Sequence, residues 1–197
     1  EFVRSNGSML VQIKKAVYGM KQSSLLWYNT LSDFLISKGY TRSENDICLF
    51  SKFTTDTAIH AGIHSDDIMI ISDSVDEITN LKNQLKDKFR QIDVQSGDKM
   101  KYLGITIVRN RKTLSTLIHQ IPTITKLIDE YDIKPNDISN IPSSNDLYKS
   151  QGEKLVDEHL TKYRSLVMSL LQIGGKTRPD IAFTINFLAT RSHCATS

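Results

Sequence analysis

The first part of the chain shows two hydrophobic spacings, one typical of a helix and one typical of strands. Large apolar side chains recur at helical spacing within residues 24–38, at Trp27, Leu31, Phe34 and Leu35. Three short runs rich in strand formers follow, at residues 47–53, 57–63 and 68–72. Only His-Ser-Asp-Asp at residues 64–67 separates the last two runs. This pair therefore predicts a β-hairpin with an acidic tip.

The rest of the chain alternates again between helical and strand patterns. Ser74 with Glu77 three residues later predicts a capped helix start, and one apolar helix face follows at Val75, Ile78, Leu81, Leu85 and Phe89. Two strands, 102–108 and 114–119, are predicted around a basic turn, and helices at 123–131, 158–173 and 180–190. Residues 134–151 are rich in Pro, Asn, Asp and Ser and indicate a surface connection. The element order predicts an α+β fold with an antiparallel sheet.

The composition excludes several classes of protein. Of the 197 residues, 39% are hydrophobic and 24% are charged, which excludes a wholly disordered chain, a collagen and a coiled-coil rod. No apolar run approaches the roughly 18 residues needed to cross a bilayer, and no signal peptide opens the sequence, so no membrane partner is expected. Cys48 and Cys194 lie outside any metal-binding spacing and indicate a reducing compartment. Glu1 in place of an initiator Met indicates a fragment, a processed product or a trimmed chain.

Charge is distributed unevenly, although the net charge is only +3. Residues 44–80 hold eight acidic and one basic residue, a net charge of −7. Residues 1–42 carry a net charge of +4 and residues 82–112 a net charge of +6. One interpretation is a set of solvated faces that alternate by chance. The other is a carboxylate cluster for a divalent metal ion between basic surfaces that bind a polyanion.

Asp66 and Asp67 are the candidate metal ligands. Adjacent carboxylates at a hairpin tip are held by the paired strands, and Mg²⁺ prefers one or two carboxylates together with substrate phosphates. Two such ions would serve phosphoryl transfer. The alternative is that both residues occur here because Asp favours turns.

Four motifs in order carry a family resemblance. They are KKAVYGMKQSSLLWY at 14–28, IHSDDIMIIS at 63–72, KYLGITI at 101–107 and YRSLVMSLLQIGGKTRPDIAF at 163–183. In this order and at these separations, the chain resembles the reverse transcriptase of copia-type LTR retrotransposons, which is a part of the Pol polyprotein. The resemblance covers almost the whole chain and implies a partial polymerase palm at residues 1–119, followed by a helical thumb and the start of the connection region at residues 120–197.

The resemblance also implies roles for individual residues. Asp66 and Asp67 fall on the metal-binding Tyr-Val-Asp-Asp motif and imply catalysis with Mg²⁺ or Mn²⁺. Gly19, Lys21 and Gln22 match a block that lines the template and nucleotide site, and His64 stands where the family has a Tyr that positions the primer end. The implied partners are an RNA or DNA template–primer, dNTPs and the rest of the Pol polyprotein. The implied location is intracellular, in the cytoplasm or nucleus within a retroelement particle.

Plainer structural interpretations stay open for several of these residues. Lys21 and Gln22 also suit an exposed turn. Trp27, Tyr28 and Phe34 have the helical spacing of core residues, which is favoured over a role in base stacking. Arg178 and Asp180 suit the start of a helix, where an acidic residue complements the helix dipole. His64 and His119 have no partner at metal-ligand spacing.

Departures from the family pattern limit the expected activity. Besides His64, they are Ser65 for Val, Ser23 and Ser24 for Ala-Pro, Met168 for Gly and Gln172 for Tyr. The family's further catalytic Asp precedes the Tyr18 block, and Asp33, Asp46 and Asp56 do not match its position. We therefore expect no polymerase activity from the isolated chain. The alternative is a non-catalytic remnant of a degenerate retroelement that binds nucleic acid or another partner through its basic segments, residues 82–112 and 161–191.

Overall fold

A computed structural model of the chain describes residues 2–3, 9–10, 13–143, 147, 149 and 152–196. The chain divides into two compact units, Glu1–Asp93 and Val94–Ser197. Residues 94–119, which the family resemblance counts with the palm, belong to the second compact unit. They do so because pairing within residues 99–119 forms a separate sheet, which shares no strand with the sheet of the first unit. The names palm and thumb for the two parts remain predictions.

The first unit combines antiparallel strands with two helices. A two-stranded sheet pairs β1 (Phe2–Val3) with β2 (Met9–Leu10). The main sheet has the order β3-β4-β5-β6 and is fully antiparallel. Its strands are β3 (Thr41–Arg42), β4 (Leu49–Phe53), β5 (Ala58–His64) and β6 (Asp67–Ser72). The helices are α1 (Ser23–Ser37), before β3, and α2 (Val75–Phe89), after β6.

One face of the main sheet packs against both helices. Strand β5 alternates as its sequence predicts, with Ile59, Ala61 and Ile63 buried and the residues between them more exposed. The helices cover this face with buried residues of the predicted apolar stripes, which are Leu31, Phe34 and Leu35 of α1 and Leu81 and Leu85 of α2. The hydrophobic spacing therefore identified the core of this unit, except that Val75 is 72% exposed at the start of α2.

Helix α2 begins as the capping pattern predicts. The Ser74 hydroxyl oxygen accepts a hydrogen bond from the backbone N–H of Glu77 at 3.3 Å. Asp76 and Glu77 lie in the first turn and Lys86 and Lys88 in the last, so both ends complement the helix dipole.

The second unit contains a three-stranded antiparallel sheet followed by helices. The strands are β7 (Lys99–Tyr102), β8 (Ile105–Asn110) and β9 (Ser115–His119), in that order. The helices are α3 (Ile121–Glu130), α4 (Asp157–Gly174) and α5 (Ala182–Thr190), with short 3₁₀ turns at Pro135–Asp137 and Pro179–Ile181. Residues 134–142 are exposed, as expected of a surface connection. Residues 144–146, 148, 150 and 151 of that connection lie outside the described residues.

The prediction of one strand over residues 102–108 is wrong. Leu103 and Gly104 form a tight turn between β7 and β8, with φ angles of 47° and 78°. Positive φ at both central residues is the signature of a two-residue hairpin turn. The continuous apolar run in the sequence hid this turn, and strand β7 was missed.

Helices α4 and α5 are held together by close approach and by hydrogen bonds. A Cβ on Gly174 would lie 3.2 Å from Cδ1 of Ile185, so Gly174 permits a close contact between the helices. The Tyr163 hydroxyl donates to the carbonyl oxygen of Leu188 at 2.9 Å, and Nε of Arg164 donates to that of Ser192 at 2.8 Å.

Within the described ranges, no helix has the length and apolar character needed to span a membrane.

The fold class is therefore the predicted one. Helices and antiparallel sheets are combined in one chain, which is the α+β arrangement expected from the sequence.

Candidate functional site

The acidic residues form the tip of the β5–β6 hairpin, as the sequence predicted. His64 of β5 pairs with Asp67 of β6, and Ser65 and Asp66 form the two-residue connection between them. Ser65 has a φ of 51°, in the left-handed region that favours glycine. A positive φ at the first central residue is typical of the hairpin turns that match the twist of the strands. The tip is therefore a tight turn with a strained serine at its first central position.

Asp67 lies on the sheet face opposite the core. Ile63 is buried and pairs with Ile68, which packs against the core of the first unit. Because successive strand residues point to opposite faces, the next pair, His64 and Asp67, points away from α1 and α2. His64, Ser65, Asp66 and Asp67 are all exposed. A ligand in solution can therefore approach both carboxylates.

Asp66 and Asp67 differ from Asp46 and Asp73, two other acidic residues of the same segment. Asp46 accepts a hydrogen bond from the backbone N–H of Cys48 at 2.9 Å, and Asp73 accepts one from that of Ala58 at 3.2 Å. Those two carboxylates stabilise turns and strand ends. Within the described part of the chain, the side chains of Asp66 and Asp67 have no hydrogen bond or ion pair. Their conformation is thus not explained by local capping.

The turn supplies part of a metal site. Hard divalent cations bind carboxylate oxygens, and Mg²⁺ commonly uses one or two of them along with phosphates. Two adjacent exposed carboxylates fit that requirement. Among the residues that the structure describes, no group of three or more His, Cys, Asp or Glu side chains is placed to hold a metal ion. The donor set fits one side of a metal site and lacks a further acidic ligand.

Gly19, Lys21 and Gln22 lie in the segment that leads into α1. The backbone N–H of Met20 donates to the carbonyl oxygen of Val17 at 3.2 Å, which closes a turn with Gly19 at its third position. Gly19 has a φ of 90°, as a type II turn requires at this position. Lys21 and Gln22 are exposed. The turn conformation is a sufficient reason for glycine at position 19.

Trp27 connects this segment with the turn at residues 64–67, which we call the acidic turn. Its indole Nε1–H donates to the carbonyl oxygen of Ser65 at 3.0 Å. Gln22 immediately precedes α1 and is five residues from Trp27, or about 7.5 Å along the helix axis. The start of α1 and the acidic turn therefore lie at the same end of the first unit. The sequence predicted Trp27 as a core residue and gave no sign of this bond.

The predicted aromatic core residues of α1 do pack as expected. Phe34 is buried, and Trp27 is half-buried against the core. Trp27 and Phe34 both meet Phe89 edge to face, with ring centroids 5.1 and 5.6 Å apart. Tyr28 is half-buried, and its hydroxyl donates to the carbonyl oxygen of Ile47 at 2.6 Å. These contacts support the structural interpretation of the three aromatic residues over base stacking.

Two further motif segments lie in the second unit. In the β7–β8 turn, the carbonyl oxygen of Leu103 accepts a hydrogen bond from Nζ of Lys176 at 2.7 Å. Arg178 binds the Asp180 carboxylate through two nitrogens, with distances of 2.7 to 3.1 Å. This contact lowers the pKa of Asp180. The pair lies at the 3₁₀ turn Pro179–Ile181, which directly precedes α5, so Asp180 comes before the first turn of that helix and not within it.

The first unit presents two adjacent, exposed carboxylates at a hairpin tip, and neither has a partner among the described residues, which is the arrangement expected from the sequence motifs. Residues 3–145 match the family model of the reverse transcriptases, which are RNA-dependent DNA polymerases. The chain belongs to this family. The resemblance inferred from its motifs is thereby confirmed.

Several transposon proteins are similar to this chain. The Retrovirus-related Pol polyprotein from transposon TNT 1-94 of Nicotiana tabacum is 28% identical over 92% of the chain, which is 14% of the polyprotein. The corresponding polyprotein from transposon RE1 of Arabidopsis thaliana is 30% identical over 94% of the chain and 12% of the polyprotein. A putative transposon Ty5-1 protein of Saccharomyces cerevisiae is 27% identical over 93% of the chain and 59% of that protein.

The chain thus spans 12 to 59% of the length of these relatives. No solved structure matches it. Reverse transcriptases as a family use divalent metal ions and act on nucleic acids, which agrees with the character of the acidic turn.

Proposed function

We propose that this chain is the C-terminal palm and thumb portion of the RNA-directed DNA polymerase of a copia-type retrotransposon. The observation that carries the proposal is the acidic turn, where Asp66 and Asp67 are exposed and unpaired within the described residues. In the intact protein the reaction is nucleotidyl transfer from a dNTP to a primer 3′-hydroxyl.

Asp66 and Asp67 are proposed to hold Mg²⁺ or Mn²⁺. When bound, such cations promote attack by the primer hydroxyl and neutralise charge on the phosphates. The described residues supply two of the carboxylates, so we propose that a further one comes from another part of the Pol polyprotein. His64 lies beside Asp67 on the same sheet face and is proposed to contact the primer end. Gly19, Lys21 and Gln22 are proposed to face the template and the incoming nucleotide.

The partners follow from this role. They are an RNA or DNA template–primer, dNTPs and the remainder of the Pol polyprotein. We propose that the protein acts inside the cell, in the cytoplasm or nucleus, within a retroelement particle.

Affinity cleavage tests whether the acidic turn approaches the primer end. Fe²⁺ substitutes for Mg²⁺ at carboxylate sites and, with ascorbate and peroxide, cleaves nucleic acid close to where it is bound. The chain is mixed with an end-labelled primer–template that has a recessed 3′ end. We expect cleavage concentrated within a few nucleotides of that end, and loss of this pattern in an Asp66→Asn, Asp67→Asn double variant.

Asp56→Asn is the matched control. Asp56 is an exposed acidic residue in the turn at the opposite end of β5, and seven residues of strand separate it from the acidic tip by roughly 20 Å. This variant should keep the cleavage pattern of the wild type. Uniform cleavage along the duplex, or the same pattern after loss of both turn carboxylates, would reject the proposed site.

Primer extension tests the incompleteness of the site. We expect no Mg²⁺-dependent extension by the 197-residue chain, because its described residues provide only two suitably placed carboxylates. Robust extension that Asp66→Asn abolishes would contradict this expectation.

A non-catalytic nucleic-acid-binding role is the second candidate. The exposed basic residues Lys99, Lys101 and Arg109 of β7 and β8 favour it. Such a remnant would bind the same duplex at low salt and release it at high salt, as expected for contacts with phosphates. It would also give no cleavage focused on the primer end. The absence of any binding at low salt would reject this role.

A further inference from the structure

Strand pairing constrains the backbone at Asp67 of the acidic turn but not at Asp66. Asp67 is fixed by its pairing with His64, which sets its register and face. Asp66 lies in the two-residue connection between the strands and has no such pairing. Its orientation depends on the peptide group that joins it to Ser65.

The Trp27 indole binds that same peptide group. The carbonyl oxygen of Ser65, which accepts from Nε1 of Trp27 at 3.0 Å, belongs to the Ser65–Asp66 peptide. Because a peptide group is planar, a bond that fixes its oxygen also fixes the direction of the Cα of Asp66. The bond acts where the backbone is strained, since Ser65 has a φ of 51°.

The donor is itself well anchored. The Trp27 ring contacts Phe89 edge to face at 5.1 Å, and Phe89 contacts the buried Phe34 in the same manner at 5.6 Å. An indole held by packing loses little additional side-chain freedom when it donates the bond. The contacts among Trp27, Phe89 and Phe34 therefore link the acidic turn to the core of the first unit.

We propose that Trp27 is a positioning residue that orients Asp66 for metal binding through the Ser65 carbonyl oxygen. The metal-binding part of this proposal rests on the function proposed above. The structural part does not, because the orientation of the turn is measurable without a metal ion. Groups that orient metal ligands typically affect metal affinity by about 10-fold or more.

The test compares Trp27→Phe with Tyr28→Phe. Trp27→Phe keeps an aromatic ring next to Phe89 and removes the N–H donor together with part of the indole ring. Tyr28→Phe removes a side-chain hydrogen bond from the neighbouring residue of the same helix, but to the carbonyl oxygen of Ile47 instead of the acidic turn. Both variants lose one side-chain hydrogen bond, but only the bond lost in Trp27→Phe is made to the acidic turn.

Amide NMR spectra of the ¹⁵N-labelled chain provide the first measurement. Trp27→Phe should shift the Ser65, Asp66 and Asp67 resonances, with a larger shift at Asp66 than at Asp67. Tyr28→Phe should shift resonances around Ile47 and leave the turn unchanged. An unchanged turn in Trp27→Phe would overturn the proposal.

Mn²⁺ titration is the second measurement, read from paramagnetic broadening of the same amides. We expect broadening centred on the turn in the wild type and in Tyr28→Phe, with about 10-fold weaker binding in Trp27→Phe. Equal Mn²⁺ affinity in all three proteins would overturn the metal part of the proposal. No broadening at the turn in the wild type would instead reject the proposed metal function, and the amide shifts would still decide whether Trp27 orients Asp66.

A third measurement covers the case in which Trp27→Phe fails to fold. In the wild-type chain, the indole Nε1–H should exchange with solvent about 10-fold more slowly than a free indole, as expected for a donor in a hydrogen bond. Exchange at the rate of free indole would contradict the bond to Ser65.

Discussion

Glycine is needed at position 19 for its backbone conformation and not because a larger side chain would lack space. Gly19 has a φ of 90°, and no atom lies within 4 Å of where a Cβ would be placed. Gly62 in β5 also has nothing within 4 Å, but its backbone is outside the left-handed region. Alanine substitution at the two positions therefore differs in backbone strain and not in steric clash. Both residues belong to the first unit.

The expected energies have opposite signs. An L-residue in the left-handed region costs about 1–2 kcal/mol, and the loss of glycine freedom in the unfolded chain offsets about 0.4–1 kcal/mol of this. Gly19→Ala should therefore destabilise the unit by about 1 kcal/mol. Gly62→Ala should stabilise it by about 0.5–1 kcal/mol, because alanine suits a strand better than glycine does. The two variants should differ by roughly 2 kcal/mol.

Urea denaturation followed by tryptophan fluorescence measures this difference. Trp27 is the only tryptophan of the chain and is half-buried against the core of the first unit, so its emission reports the unfolding of that unit. Gly19→Ala should lower the transition midpoint and Gly62→Ala should raise it, with unchanged slopes. Equal midpoints for the two variants would refute the backbone explanation. Glycine at position 19 would then be better explained by close approach of a ligand.

Three other contacts give predictions of similar size. Ser74→Ala removes the acceptor for the Glu77 N–H and should cost about 1 kcal/mol in urea denaturation; an unchanged stability would contradict the cap. Thr177→Val removes the hydroxyl that donates to the side-chain oxygen of the buried Gln120 and should lower the free energy of unfolding by about 1–3 kcal/mol. Adding Gln120→Met should restore most of this stability, and a loss that it does not restore would contradict the role of the hydrogen bond. Burial, with a contribution from Glu77, raises the pKa of Tyr40 to about 12. The contribution of the neutral phenol to stability is complete below pH 10 and is lost as the pH rises toward 12. Tyr40→Phe should therefore lose less stability than the wild type between pH 10 and pH 12, and equal losses would refute the raised pKa.

Local patterns predicted the elements of the first unit well. The spacing of Leu31, Phe34 and Leu35 identified the buried face of α1, and the two apolar runs around residues 64–67 identified the β5–β6 hairpin. Both signals depend only on residues that are close to one another in the sequence. The patterns missed the Leu103-Gly104 turn, because leucine is unusual at positive φ and sits inside an apolar run. The boundary at Asp93 arises because residues 99–119 pair with one another and not with the sheet of the first unit, and the apolar runs do not show which sheet a strand joins.

The candidate site was only partly visible in the sequence. The acidic residues and their place at a hairpin tip follow from residue type and spacing. Among the described residues, the side chains of Asp66 and Asp67 have no partner, whereas those of Asp46 and Asp73 accept backbone hydrogen bonds, and this difference depends on the folded geometry. The bond from Trp27 to Ser65 joins residues 38 positions apart, and helical spacing alone assigns Trp27 to the core. The roles of the site residues in catalysis remain predictions.

Cation binding at the acidic turn is the most direct test of the central claim. Tb³⁺ binds carboxylate oxygens and luminesces when a nearby excited tryptophan transfers energy to it, and Trp27 is bonded to the turn. Coulomb's law in water gives about 1 kcal/mol per unit charge at 4 Å, hence about 3 kcal/mol between Tb³⁺ and each carboxylate before screening by salt. We predict sensitised luminescence in the wild type and in Asp56→Asn, and at least about 10-fold weaker binding in Asp66→Asn and in Asp67→Asn. Titrations that are the same for all four proteins would contradict the assignment of this turn as the metal-binding tip of a reverse transcriptase palm.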